Sequence, residues 1–315
     1  MFLAVIDAVV PVFGLILLGW LAARRQWLPD SATDALNRFV IFLALPALLF
    51  MAMARSDVSV LSEFGLGASF GLGTLGASLI YLWVSRRESL DTVVRSINSM
   101  SASYANAGFM GIPLILIVFG QQAMPAAVVV CIMTVAVLFG ITIIAIEVFK
   151  AKGRDLVPAL KRVSLSLAKN PILVAPVAGL LFSAYEIPIP TAAEGLIDLL
   201  AGAATPCALI TIGLFLARSP VASSSRSVPQ IVWIKLLVHP ILVGLFALRV
   251  FDVDPVWAWT AILAAALPVG TGPFMLANLY QQDASASARA ILISTIGSVL
   301  SLSLLVAWVN YANIV

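Results

Sequence analysis

Two stretches, Asn106-Ala107-Gly108-Phe109-Met110-Gly111-Ile112-Pro113 and Pro268-Val269-Gly270-Thr271-Gly272-Pro273, crowd glycine and proline into the middle of long apolar segments. Proline lacks a backbone donor and collides with the preceding turn, and glycine releases the chain from helical restraint, so continuous helix is disfavoured at both places. New helices are expected to begin near Pro113 and Pro273, because proline suits the first helical position. The opening amides of a helix have no partner within it and carry the positive end of its dipole. Two such ends facing one another would suit a carboxylate or another anion. Asn106 and Thr271 add side-chain hydrogen-bonding capacity, while Gly108, Gly111, Gly270 and Gly272 let a ligand approach the backbone. The competing reading is a pair of ordinary kinks that ease helix packing.

Lys235 and His239 form a second group, four residues apart on one helix face and about halfway through another apolar segment. Charge at such a depth is costly, so these residues are candidates for function. Lys235 would balance the charge of a bound carboxylate, or else snorkel toward the interface. His239, the only histidine, either titrates near neutral pH in a coupling step or is a neutral ring hydrogen-bonded in helix packing before Pro240. Asp7, Arg38 and Glu147 lie near segment ends, within reach of the interface, and stay outside the site.

The elements that must position these groups follow from composition. Hydrophobic residues make up 62% of the 315, charged residues 10%, and mean hydropathy is +1.08, which a water-exposed surface does not tolerate. A membrane span needs roughly 20 apolar residues, and ten segments qualify: 2–23, 32–54, 63–84, 92–119, 123–148, 168–185, 195–217, 228–249, 256–279 and 286–310. The first lacks a preceding basic segment and is expected to be retained rather than removed as a signal. Cys131 and Cys207 fall inside spans and read as packing residues. Loops after odd-numbered spans, with their flanks, carry 14 of the 18 Lys and Arg residues, which places those loops in the cytoplasm and both termini outside. The basic linker from 150 to 169 reads as a helix lying on the cytoplasmic surface.

Shifted by 160 residues, the chain repeats its punctuation: Pro11 meets Pro171, Gly19 meets Gly179, Pro46 meets Pro206 and Pro113 meets Pro273. The residues Phe119-Gly120-Gln121-Gln122 fall over Leu279-Tyr280-Gln281-Gln282. Five spans per unit is an odd number, so the second copy enters the membrane inverted. The expected architecture is an all-α polytopic membrane protein of ten transmembrane helices. Its two inverted five-helix repeats are 1–155 and 156–315, with broken helices 4 and 9 crossing at the midplane, where inverted repeats place their substrate.

The run "SYANAGFMGIPLI" resembles the fourth-span motif of the auxin efflux carrier family of membrane transporters, and "HPILV" and "ALPVGTGPFMLANLY" resemble its eighth and ninth spans. The resemblance covers the whole chain. It implies a crossover of broken fourth and ninth helices holding the substrate. It also implies a scaffold of spans 1, 2, 6 and 7 that dimerises with a second copy, and a moving transport domain of spans 3–5 and 8–10. The string "LPVGTGPFMLA" departs from the plant carriers, which place an asparagine near the second break, and is similar to bacterial malonate carriers. The implied substrate is therefore a small mono- or dicarboxylate, carried across a bacterial cytoplasmic membrane by alternating access.

Coupling to protons or sodium is expected, with no cofactor, no metal site and no nucleic acid. One histidine, no Gly-x-Ser-x-Gly elbow and no His-rich spacing argue against a membrane-embedded enzyme. A sodium-coupled carrier of bile-acid-symporter type and a non-transporting receptor or sensor stay open as alternatives.

Overall fold

The computed structural model describes residues 2–56, 63–151, 161, 164–165, 168–218, 226–312 and 314. Most of the basic linker expected to lie on the membrane surface falls outside the described residues. The described residues are mostly helical, with no strand among them. In chain order the helices are α1 (Phe2–Arg24), α2 (Ala32–Ala54), α3 (Phe64–Arg87), α4 (Thr92–Ser101), α5 (Ala107–Phe119) and α6 (Gln121–Lys150). They continue with α7 (Pro171–Ala184), α8 (Thr191–Arg218), α9 (Ser227–Val250), α10 (Pro255–Ala265), α11 (Gly272–Leu279) and α12 (Ser285–Tyr311). Among the described residues, six of them (α2, α3, α6, α8, α9 and α12) are long and apolar enough to cross a membrane.

Several starts are set by local chemistry. Asp91, Asn170 and Asp254 each accept an amide of the following first turn with their side chains, which replaces the partner those amides lack within the helix. Proline stands in the first turn of α7, α10 and α11, where its missing donor removes no helical bond.

Helices with lipid on one side gain little from burying apolar surface against each other, so close approach through small residues has to hold them. α1 packs along α8, and α7 along α2. A side chain at Gly19 would land on the backbone carbonyl of Ile210, and one at Gly179 on that of Phe50. Both glycines and both carbonyls are related by the same 160-residue shift. Gly213 of α8 lies against the Ile16 carbonyl in α1 in the same manner. α2 and α8 run antiparallel and are joined at both ends by arginine. Arg55 holds Glu194 and Asp198, each at 2.8 Å, and Arg218 holds Thr33 at 2.6 Å, Asp30 at 3.1 Å and the Pro29 carbonyl at 3.0 Å. The two carboxylates raise the Arg55 pKa further above its already high ordinary value. Because the Arg55 cluster is about half exposed, each of its pairs adds at most about 1 kcal/mol, and the glycine contacts hold these helices together.

Gly19→Ala and Gly213→Ala are each expected to destabilise the protein by about 1–3 kcal/mol. Gly14→Ala, whose added methyl meets nothing within 4 Å, is expected to have no effect. Thermal unfolding in detergent checks this, and equal melting of all three variants would contradict the close approach of α1 and α8.

Candidate functional site

Between α4 and α5, and again between α10 and α11, the chain leaves helical geometry while still inside the bundle. Unpaired peptide groups there would cost several kcal/mol each in an apolar surrounding, and the two breaks satisfy each other. They run antiparallel with Ala105 opposite Val269. The Asn106 amide donates to the Pro268 carbonyl and the Gly270 amide to the Tyr104 carbonyl, both at 3.0 Å. The Val269 amide donates to the Ser294 hydroxyl of α12 at 3.0 Å, and that hydroxyl donates on to the Ile291 carbonyl. The Asn106 carbonyl accepts from the amides of Met110 and Gly111 at 3.1 and 2.9 Å. On the α4 side, Ser103 and Ser78 share a hydrogen bond of 2.7 Å.

The start of α11 agrees with the sequence expectation: it begins at Gly272, with Pro273 in its first turn. The start of α5 does not. α5 begins at Ala107 with a wide π turn over Ala107–Gly111, and Pro113 enters only where regular α-helix resumes.

The first amides of α5 and α11 have no partner within their own helices. The opening residues of both helices line a cavity of about 340 Å³, among them Gly108 and Gly272, together with Asn106, Gly270 and Thr271, and with Ile41 and Phe42 of α2 on an apolar wall. Asn106 is 6% exposed and makes no cap to its own helix. Its side-chain amide has no hydrogen-bond partner among the described residues, so both its donor and its acceptor are available to a ligand. Thr271 stands at the start of α11 without a side-chain cap bond. Gly270 and Gly272 have a second duty: a side chain at Gly272 would collide with the Tyr104 ring, and one at Gly270 would come within 3.0 Å of it.

The remaining candidates lie elsewhere. Gly111, Pro113 and Pro273 are buried and do not line the cavity; an added methyl at Gly111 would stand 2.7 Å from Leu267 across the crossing. Lys235 is wholly buried, and its Nζ donates to the carbonyl of Ala265, the last residue of α10. It therefore caps the helix that ends at the second break and does not reach the cavity. His239 is wholly buried too: Nε2 lies 3.0 Å from the Thr74 hydroxyl, and the ring packs 5.6 Å from that of Phe70. Nδ1 of His239 has no hydrogen-bond partner among the described residues.

Two residues that sequence reasoning passed over, Lys169 at the end of the linker and Asn170 at the start of the sixth segment, line the same cavity. Asn170 caps α7, accepting from the Ile172 amide at 3.0 Å. The string Asn-Pro at a helix start was a legible capping signal, although nothing in it pointed to a cavity formed with residues far off in sequence.

Long apolar helices and two interrupted, hydrogen-bonded segments beside a cavity are the arrangement of a membrane transporter, and the likeness to known proteins gives that class. The chain belongs to the membrane transport protein family, that of the auxin efflux carriers, whose pattern matches residues 4–306. It is 33% identical over 92% of its length to a Rhizobium meliloti protein named "Putative malonate transporter", covering 91% of that protein. An uncharacterized transporter of Methanothermobacter thermautotrophicus is 26% identical, with 96% of this chain and 98% of the relative covered. Auxin efflux carrier component 5 of Arabidopsis thaliana is 23% identical, with 96% and 95% covered.

Lys235→Met removes the donor to Ala265 and leaves a buried carbonyl unpaired. A loss of about 1–3 kcal/mol in stability is expected, read by thermal unfolding in detergent, with anion binding by the folded fraction unchanged. Loss of binding at full stability would instead assign the lysine to the ligand.

Proposed function

We propose that the protein is a secondary active transporter of a small organic anion, a malonate-like mono- or dicarboxylate, bound where the two interrupted segments cross. One observation carries the reading: the partnerless Asn106 side chain and the opening residues of α5 and α11 line a single cavity. Amide donors with positive dipole ends favour a carboxylate over a cation or a neutral solute. A relative named for malonate, 33% identical, supports the substrate class.

In this reading α4 with α5 and α10 with α11 are the broken fourth and ninth of ten spans, arranged as two inverted five-helix repeats. The glycine-to-carbonyl contacts at Gly19 and Gly179, related by one shift, support that symmetry. The helices α1, α2, α7 and α8 form the scaffold and its dimer contact, and the other helices move against it carrying the crossing. Both termini face outward from a bacterial cytoplasmic membrane. Lys169, at the basic linker, marks the cytoplasmic mouth of the cavity and draws anions toward it. Protons drive transport, with sodium as the alternative. His239 is the residue placed to take part in coupling, since Thr74 and Phe70 hold it inside the moving unit.

Uptake of labelled malonate into proteoliposomes is the test. Asn106→Ala is expected to lower uptake about tenfold or more, the effect of losing a hydrogen bond to a charged group. Gly272→Leu, which drives a side chain into Tyr104, is expected to abolish uptake. Normal uptake by the double variant would remove the crossing from the mechanism. Imposing a pH gradient or a sodium gradient separately identifies the coupling ion.

A further inference from the structure

A second cavity, of about 420 Å³, lies away from the crossing, between α3 and α6 with α4 as its floor. We propose that it binds one acidic glycerophospholipid, with the phosphate at Arg95 and an acyl chain along the groove. Its lining is apolar at one end and polar at the other. From Phe70 to Leu82 the wall follows α3 over thirteen residues, about 18 Å at helical rise, which is the reach of a fatty acyl chain rather than of a small solute.

The opposite wall is Met133, Val137, Ile141 and Phe149 of α6. Leu75, Leu79, Val137 and Ile141 are exposed on the outside of the bundle, so the groove opens sideways toward lipid. At the end near the helix termini stand Thr92, Arg95 and Ser96. Arg95 is the one ionised residue in the lining. One arm of its guanidinium donates to the Glu88 carbonyl at 2.7 Å, while Nε is buried without a partner among the described residues. A buried guanidinium nitrogen left unpaired is costly, and a phosphodiester oxygen at the mouth of the groove would satisfy it with a charge-assisted bond.

The nearby acids do not compete. The Glu88 carboxylate is turned to α9, where it accepts from Gln230 at 2.8 Å and Ser227 at 3.3 Å. Asp91 is engaged as the cap of α4. Arg86 and Arg87 end the same helix that walls the groove, adding positive charge where an acidic headgroup would lie. Basic pockets between helices at a membrane surface recognise lipid headgroups through this combination. The deep end of the groove is Phe70 and Thr74, the two residues that hold His239, so an occupying chain would press on the interior of the presumed moving unit.

Native mass spectrometry of the detergent-purified chain tests the site with phosphatidylglycerol, phosphatidylcholine and glycerol 3-phosphate as probes. Wild type is expected to retain phosphatidylglycerol in preference to phosphatidylcholine and to retain no glycerol 3-phosphate. R95Q is expected to lower phosphatidylglycerol retention at least about fivefold. V137W, which fills the groove without touching Arg95, is expected to lower retention of both lipids. Equal retention of the two lipids by wild type, wild-type retention by R95Q or by V137W, or capture of glycerol 3-phosphate as readily as the lipid would each overturn the proposal. Should R95Q fail to fold, as judged by its thermal unfolding, the wild-type lipid preference and V137W decide the question.

Discussion

The structure depends on one constraint: a peptide group taken out of helix inside an apolar bundle has to find another partner. One interrupted helix could not meet it, because its freed amides and carbonyls would face hydrocarbon. Two interruptions lying side by side meet most of it, since Asn106 bonds to Pro268 and Gly270 to Tyr104 across the gap. Ser294 takes the Val269 amide and Lys235 the Ala265 carbonyl. The breaks are thus mutually dependent, and a substitution that closes one into regular helix would strand the partners of the other.

The helices around the crossing are held by a different kind of contact. Glycine at 19, 179 and 213 lets backbones approach until carbonyl oxygen replaces side chain as the neighbour. Contacts of this type are short and stiff, and they join α1 to α8 and α2 to α7. Between α3 and α9 the glycine at 73 likewise lies against Val243, meeting its side chain first and then its backbone nitrogen and Cα.

Much of this was legible in the sequence because it rests on local chemistry. Crowded glycine and proline announce an interrupted helix whatever surrounds them, and the 160-residue echo pairs the two interruptions. The residues that define the cavity were legible for the same reason: Asn106, Thr271 and the glycines belong to the breaks themselves. Pro113 misled, because a π turn satisfied by the Asn106 carbonyl lets α5 begin six residues earlier. Lys235 misled more instructively. Depth in the bundle marks a lysine as exceptional without indicating which of its neighbours needs a donor, and here that neighbour is the end of α10. Lys169 and Asn170 join the site only through folding, since no spacing along the chain relates the start of α7 to either break.

The sorting of helix ends at the crossing decides what kind of solute it suits. Four ends meet there. The two carboxyl-terminal ends, of α4 and α10, carry partial negative charge, and the protein supplies their donors: the Met100 carbonyl accepts from the amides of Ser103 and Tyr104, and Ala265 accepts from Lys235. The two amino-terminal ends, of α5 and α11, receive no comparable acceptor, and the nearest polar group, the Asn106 side chain, is left open. The Met100 and Ala265 carbonyls at the ends of α4 and α10 thus have donors within the fold, while the Asn106 side chain stays open. A sodium ion would need several oxygen ligands facing inward, and the side-chain oxygens lining this cavity are those of Tyr104, Asn106, Thr271 and Asn170, the last engaged as a helix cap. Under the proposed function, the starts of α5 and α11 meet a solute that brings oxygen lone pairs and negative charge.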